Sequence, residues 1–191
     1  MKTITPSPAE LERRIARYGA LAPMKAQQDP TVPLEAADVV WSRKLMPVIA
    51  LESESVTPIN DQSAPIIGAA GMTMTLAVCP PGQGPTLHAH RKTFETFTVL
   101  QGAFEFAFGD KGEHKVVLGR FDTISVPPAI CRAFRNVSAE EGILQVIITG
   151  GVHDMNDIDI VPEAHSQLER LAPVFLEKLK ASGLTFTAGM D

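Results

Sequence analysis

Cysteine is scarce in this chain: Cys79 and Cys131 are the 2 among 191 residues. Two thiols give no disulfide framework to read and point to reduced cysteines in a cytoplasmic protein. An excess of basic charge is missing as well. Lys and Arg number 17 against 22 Asp and Glu, a net charge of -5, so the chain lacks the surface that a phosphate backbone requires, and no nucleic-acid partner is expected. Long hydrophobic runs are also absent. The longest weakly polar stretch, Ala64 to Val78, is interrupted by Pro65, Gly68 and Gly71, so no membrane-spanning helix is expected. The N-terminal MKTITPSPAELERR has no apolar core of the kind a secretory signal carries.

What is present is proline: 15 residues against 14 glycines, which predicts many turns and sheet edges and few long helices. A chain of this length buries about 70% of the surface its unfolded form exposes, so it needs no disulfide or structural metal merely to fold. One domain with terminal elaborations is expected.

Ser7-Pro8-Ala9-Glu10 spells a capping box with proline at the first helical position, and predicts a short helix from Pro8 to about Tyr18. Pro23 to Pro33 reads as a connecting arm, and Leu34 to Leu51 as a mixed stretch that turns to strand after Val39. Together 1–65 form an N-terminal helix and arm that partly join a barrel.

From Ile66 to Gly150 the texture changes to short β-branched and apolar runs, separated by Gly and Pro turns every 8 to 12 residues or so. Met72 to Cys79, Glu95 to Leu100, Phe104 to Phe108, Asp122 to Val126 and Ile143 to Ile148 read as strands, with Asp110 to His114 as a polar hairpin tip. This predicts an all-β sandwich or barrel. After Gly151 the pattern reads as helical through 151–191: Ser166 and Glu169 suggest a second capping box, and Leu168, Leu171, Phe175, Leu176 and Leu179 form a packing stripe. Pro173 splits or kinks that run.

The segment from Gly82 to Gly102 carries the chemistry. Residues two apart on a strand share a face, so His88 and His90 present their imidazoles side by side. Glu95 follows at an odd spacing and joins them only where the chain turns, which Arg91, Lys92 and Thr93 permit. An ionisable carboxylate sharing a face with Phe97 and Val99 needs a partner. Two imidazoles and a carboxylate form a ligand set for one divalent transition metal, Fe, Mn, Ni, Cu or Zn, and three protein ligands leave positions open.

Gly82(x5)His88-x-His90(x4)Glu95(x6)Gly102 resembles the first signature motif of the cupin superfamily, with every position filled. The second motif, G(x5)PxG(x2)H(x3)N, is matched at Pro127 and Asn136, whereas Phe121 and Ala129 stand in place of glycines and Arg132 in place of the histidine. The resemblance implies an all-β double-stranded β-helix, the cupin jelly-roll barrel, with short N-terminal and C-terminal helices. It also implies metal ligation by His88, His90 and Glu95.

Arg132 is the departure that matters. It is always protonated and offers a metal no lone pair. In one outcome it forms a bidentate pair with Glu95, the metal is weak or absent, and the barrel is a non-catalytic small-molecule binding or sensing pocket. In the other, the three ligands hold the ion and Arg132 orients an anionic group of a substrate, with Arg132 and Glu95 both serving catalysis. A third route has His153 complete the metal shell.

The leading expectation is a metal-dependent oxidoreductase, dioxygenase-like, acting on a small organic molecule; an isomerase or decarboxylase would leave the same trace. Phe97, Val99, Phe106, Ile124, Val126 and Phe134 are the expected apolar wall. Cys131, beside Arg132, is expected to face outward as a packed thiol, His114 to be solvated, and His165 to lie at the surface. A homodimer is expected, because a small barrel has sheet edges to cover.

Overall fold

The computed structural model describes residues 1–51, 63–68, 71–151 and 155–190. Its strands are β1 Lys44–Ala50, β2 Ile66–Ile67, β3 Met72–Cys79, β4 His88–His90, β5 Phe94–Gln101 and β6 Phe104–Phe108. They continue as β7 His114–Leu118, β8 Thr123–Val126, β9 Arg132–Asn136, β10 Gly142–Thr149 and β11 Ile158–Ile160. One sheet runs β2-β1-β3-β10-β5-β8 and the other β11-β4-β9-β6-β7. This is the double-stranded β-helix expected from the sequence. Among the described strands pairing is antiparallel except β1 with β2, where Ile49 lies opposite Ile66 in parallel register; Asp159 also makes an isolated parallel bridge with Thr185.

Alternation decides which side chains enter the barrel. On β5, Glu95, Phe97 and Val99 are buried, while the hydroxyls of Thr96 and Thr98 pair with Ser125 at 2.8 Å and Thr123 at 3.0 Å on the outer face. At one end the interior is filled by aromatic rings. Phe97, Phe106 and Phe134 lie 5.2–5.8 Å apart centroid to centroid, with Phe104 at 6.1 Å from Phe134, distances that favour tilted and edge-on packing.

The flanking helices are α1 Pro8–Glu12, α2 Leu34–Val40, α3 Pro162–Leu171 and α4 Pro173–Ala181. The capping box of α1 forms: Ser7 Oγ accepts from Glu10 N–H at 3.3 Å, and the Glu10 carboxylate accepts from Ser7 N–H at 2.7 Å. The helix nevertheless ends at Glu12, short of Tyr18. Leu11, Ile15 and Tyr18 remain 51%, 41% and 54% exposed, so no packing offsets the cost of a longer helix. The mixed stretch stays helical to Val40 before β1 begins at Lys44, because Ala36, Val39 and Val40 bury against the C-terminal helices.

Ser166 is not a cap. α3 starts four residues earlier at Pro162, whose fixed φ and missing N–H suit the first turn. Pro173 opens α4. The segment read as wholly helical also contains β11, which extends the five-stranded sheet beside β4. α2, α3 and α4 share one core with Met24 and Trp41, and the Trp41 and Phe175 rings meet edge-on at 5.5 Å. Among the described residues no helix is long and apolar enough to cross a membrane.

Phe121 and Ala129 have φ of 73° and 62°. Both keep the left-handed backbone that the cupin pattern assigns to glycine, at a cost a glycine would not carry. The Ala129 N–H donates to the His90 carbonyl at 2.7 Å, which ties this turn to the strand that carries the histidines.

Candidate metal and ligand site

β4 lies between β9 and β11, with His88 opposite Arg132 on one side, and His88 and His90 opposite Ile160 and Ile158 on the other. Directly paired residues present their side chains to the same face, so these five side chains all point into the barrel. Glu95 comes from the other sheet, on β5 between Ile148 and Val126. The chain changes sheets at 91–93. That crossing cancels the odd spacing and turns the carboxylate toward the imidazoles.

One ligand atom from each of His88, His90 and Glu95 lies within 4.8 Å of the others. Glu95 Oε2 is the hub, 3.8 Å from His88 Nε2 and 3.7 Å from His90 Nε2. The outer nitrogens are engaged. His88 Nδ1 is 2.9 Å from the Thr86 carbonyl, which can only accept, so the neutral ring carries its hydrogen on Nδ1 and a lone pair on Nε2. His90 Nδ1 is 2.8 Å from Thr93 Oγ1, and that hydroxyl donates to Asp157 Oδ2 at 2.5 Å.

Arg132 is fully buried and donates to Glu95 Oε2 from Nε at 3.0 Å and from Nη2 at 2.6 Å, while Nη1 reaches the Ile130 carbonyl at 3.3 Å. The pairing differs from the expected bidentate fork: two N–H groups converge on one oxygen, the same oxygen that faces both histidines. Burial alone would raise the Glu95 pKa. The Arg132 guanidinium and then the two imidazoles outweigh it and hold the carboxyl well below its ordinary range.

A cavity of about 110 Å³ opens above this cluster. His88, His90 and Glu95 line it, with Thr73, Thr75, Val146 and Ile148 from the six-stranded sheet and Ile158 and Ile160 from β11. Met24, Trp41, Leu45 and Pro47 of the N-terminal flank close the rest of the wall. Of the wall expected from alternation, only Phe134 reaches the cavity. Phe97, Val99 and Phe106 are fully buried in the aromatic end, because each step along β5 beyond Glu95 moves away from the hollow end. Arg132 does not line the cavity either; it stands behind Glu95.

Cys131 packs on the outer side of its sheet, under the flanking helices, and Cys79 is buried in the barrel core. Both are free thiols, and burial pushes each up to about 11. His114 is exposed in its hairpin, and His165 is half-buried with its ring edge-on to Phe186 at 5.4 Å. His153 lies outside the described residues.

The cavity wall of the flank, Thr93 and Asp157 escaped the sequence reading. Asp157-Ile158-Asp159-Ile160 carried the readable trace, an alternation that puts acids on one strand face and isoleucines on the other.

A family model described as a cupin domain matches residues 75–148. No curated protein matches the chain. Among solved structures, the cupin domain of Schizosaccharomyces pombe Cnp3 is 13% identical with a TM-score of 0.42; the alignment covers 56% of this chain and 65% of that one. A Klebsiella pneumoniae protein with a double-stranded β-helix domain is 22% identical, TM-score 0.40, over 44% of this chain and 70% of its own. KdgF from Halomonas sp. is 17% identical, TM-score 0.40, over 44% and 73%.

Proposed function

The barrel of this chain is a cupin domain, and from that premise we propose that it is a metal-dependent oxidoreductase, dioxygenase-like, acting on a small organic molecule held in the cavity. The observation that carries the reading is the convergence of two imidazole nitrogens and one carboxylate oxygen within 4.8 Å at the cavity floor. Every one of these atoms is an acceptor or electron-pair donor, and the cation beside them, Arg132, is spent on Glu95. The floor therefore suits a cation. His88, His90 and Glu95 would hold one divalent transition metal. When bound, such an ion supplies Lewis acidity and redox chemistry at the positions the protein leaves open.

The chain's own residues supply the rest. Thr86 and Thr93 orient the two rings through their outer nitrogens. Arg132 fixes the Glu95 carboxylate and keeps it ionised. Because Arg132 has no surface in the cavity, its task is to position Glu95 and not to grip an anionic group of the substrate. Met24, Trp41, Ile158 and Ile160 hold an apolar body and exclude water from the floor.

A second reading has a specific observation behind it. The guanidinium occupies the Glu95 oxygen that a metal would use, which favours a non-catalytic binding or sensing barrel. Metal analysis of protein purified without an affinity tag separates the two. The enzyme reading expects one ion per chain after anaerobic reconstitution with Fe(II), Mn(II), Ni(II) or Zn(II), its loss in Glu95→Ala, and tighter binding in Arg132→His. Wild-type protein that takes up none of the four sinks it.

A further inference from the structure

We propose that Asp157, acting through Thr93, fixes His90 in the tautomer whose bare Nε2 faces Glu95, so that the C-terminal segment helps build a site whose ligands all lie in the barrel motif. The value of this for metal binding rests on the three-ligand reading above. Asp157, Thr93 and His90 are 2%, 0% and 2% exposed. Asp157 Oδ1 accepts from the Lys92 N–H at 2.7 Å, and Oδ2 accepts from the Thr93 hydroxyl at 2.5 Å. With its only hydrogen committed, Thr93 Oγ1 offers His90 nothing but lone pairs at 2.8 Å. The neutral ring must then carry its hydrogen on Nδ1. Asp157 Oδ2, itself 3.3 Å from Nδ1, acts in the same sense. Nε2 keeps its lone pair and points it at Glu95 Oε2, 3.7 Å away.

Asp157 is thus a positioning residue. Its backbone joins the same device, since its carbonyl accepts from the Arg91 N–H at 2.8 Å and the next residue, Ile158, pairs with His90. The sheet-crossing turn at 91–93 and the ring that precedes it are held from one place. Carboxylates that orient metal-binding histidines through the outer nitrogen are worth about 10–100-fold in metal affinity.

Asp157→Asn separates this role from simple turn bracing. The amide oxygen still serves the Lys92 N–H, but the amide NH2 now meets Thr93 and donates to it. Thr93 then donates to His90 Nδ1, and the ring hydrogen moves to Nε2. Ring ¹⁵N shifts in the metal-free protein, at alkaline pH where the imidazole is neutral, read this directly. The expected result is a hydrogen on Nδ1 in wild type and on Nε2 in Asp157→Asn, with Zn(II) affinity lower by about 10–100-fold in the variant. Asp157→Ala, which removes both the acceptor of the Thr93 hydroxyl and the carboxylate 3.3 Å from Nδ1, is expected to lose the fixed tautomer and serves if the first variant does not fold. A wild-type ring with its hydrogen on Nε2, or variants that keep the wild-type tautomer, would overturn the assignment. A wild type that binds none of Fe(II), Mn(II), Ni(II) and Zn(II) yet shows the tautomer switch sinks the three-ligand reading and leaves this one standing.

Discussion

The two ends of the barrel share β5 and β9 and are held by different forces. At one end Phe97, Phe104, Phe106 and Phe134 fill the interior ring against ring. At the other, β3, β10 and β5 turn Thr73, Thr75, Ile148 and Glu95 toward a cavity, and the two sheets meet through Glu95 and Arg132. The packed end needs apolar volume, so it tolerates hydrophobic sets that keep register and total volume. The hollow end needs specific atoms in specific directions, and it draws them from the barrel, the N-terminal arm and the C-terminal strand.

Breaking the charge pair is expected to have the largest effect. Arg132→Met in metal-free protein leaves Glu95 as an uncompensated buried charge and should cost about 3–5 kcal/mol in urea unfolding, whereas Arg132→Met with Glu95→Gln recovers most of it. If the single variant is as stable as wild type, the hollow end is not held by charge. Packing sets the next contrast. Phe106→Ala empties a fully enclosed site and should cost about 3–5 kcal/mol, while Ile148→Ala, already bordering a cavity, should cost about 2 kcal/mol. Equal losses would mean that Ile148 is packed as tightly as Phe106 and that the hollow end is not loose. The smallest effect belongs to the turn behind the histidines. Ala129→Gly relieves a left-handed alanine at φ 62°, and after the greater freedom of glycine in the unfolded chain is subtracted it should stabilise by about 0.5–1 kcal/mol, read as a Tm increase of about 1–3 °C.

The sequence made the barrel legible because period-two alternation and turn residues report local structure. His88, His90 and Glu95 were legible for the same reason: they lie within one short stretch whose spacing is dictated by a single sheet crossing. The substitution at Arg132 was visible, yet its geometry was not, since whether a guanidinium forks across a carboxylate or converges on one oxygen depends on what lies behind it. Asp157 stands 64 residues from Thr93, and no periodicity links two residues so far apart. Met24 falls in the stretch read as an arm and Trp41 in the stretch read as strand; only the folded chain brings them to the cavity wall. The overlong α1 failed for a different reason, because a capping box marks where a helix begins and says nothing of what it packs against.

The sheet crossing at 91–93 gives the molecule a mechanical property. Glu95 belongs to one sheet while His88, His90 and Arg132 belong to the other, so the cluster spans the gap between layers as a rivet spans two plates. The aromatic end, with no slack, is the pivot. The rivet lies between that end and the mouth of the pocket, at the cavity floor. The two layers are therefore tied together twice, by phenylalanine packing at the closed end and by a buried charge pair at the pocket floor.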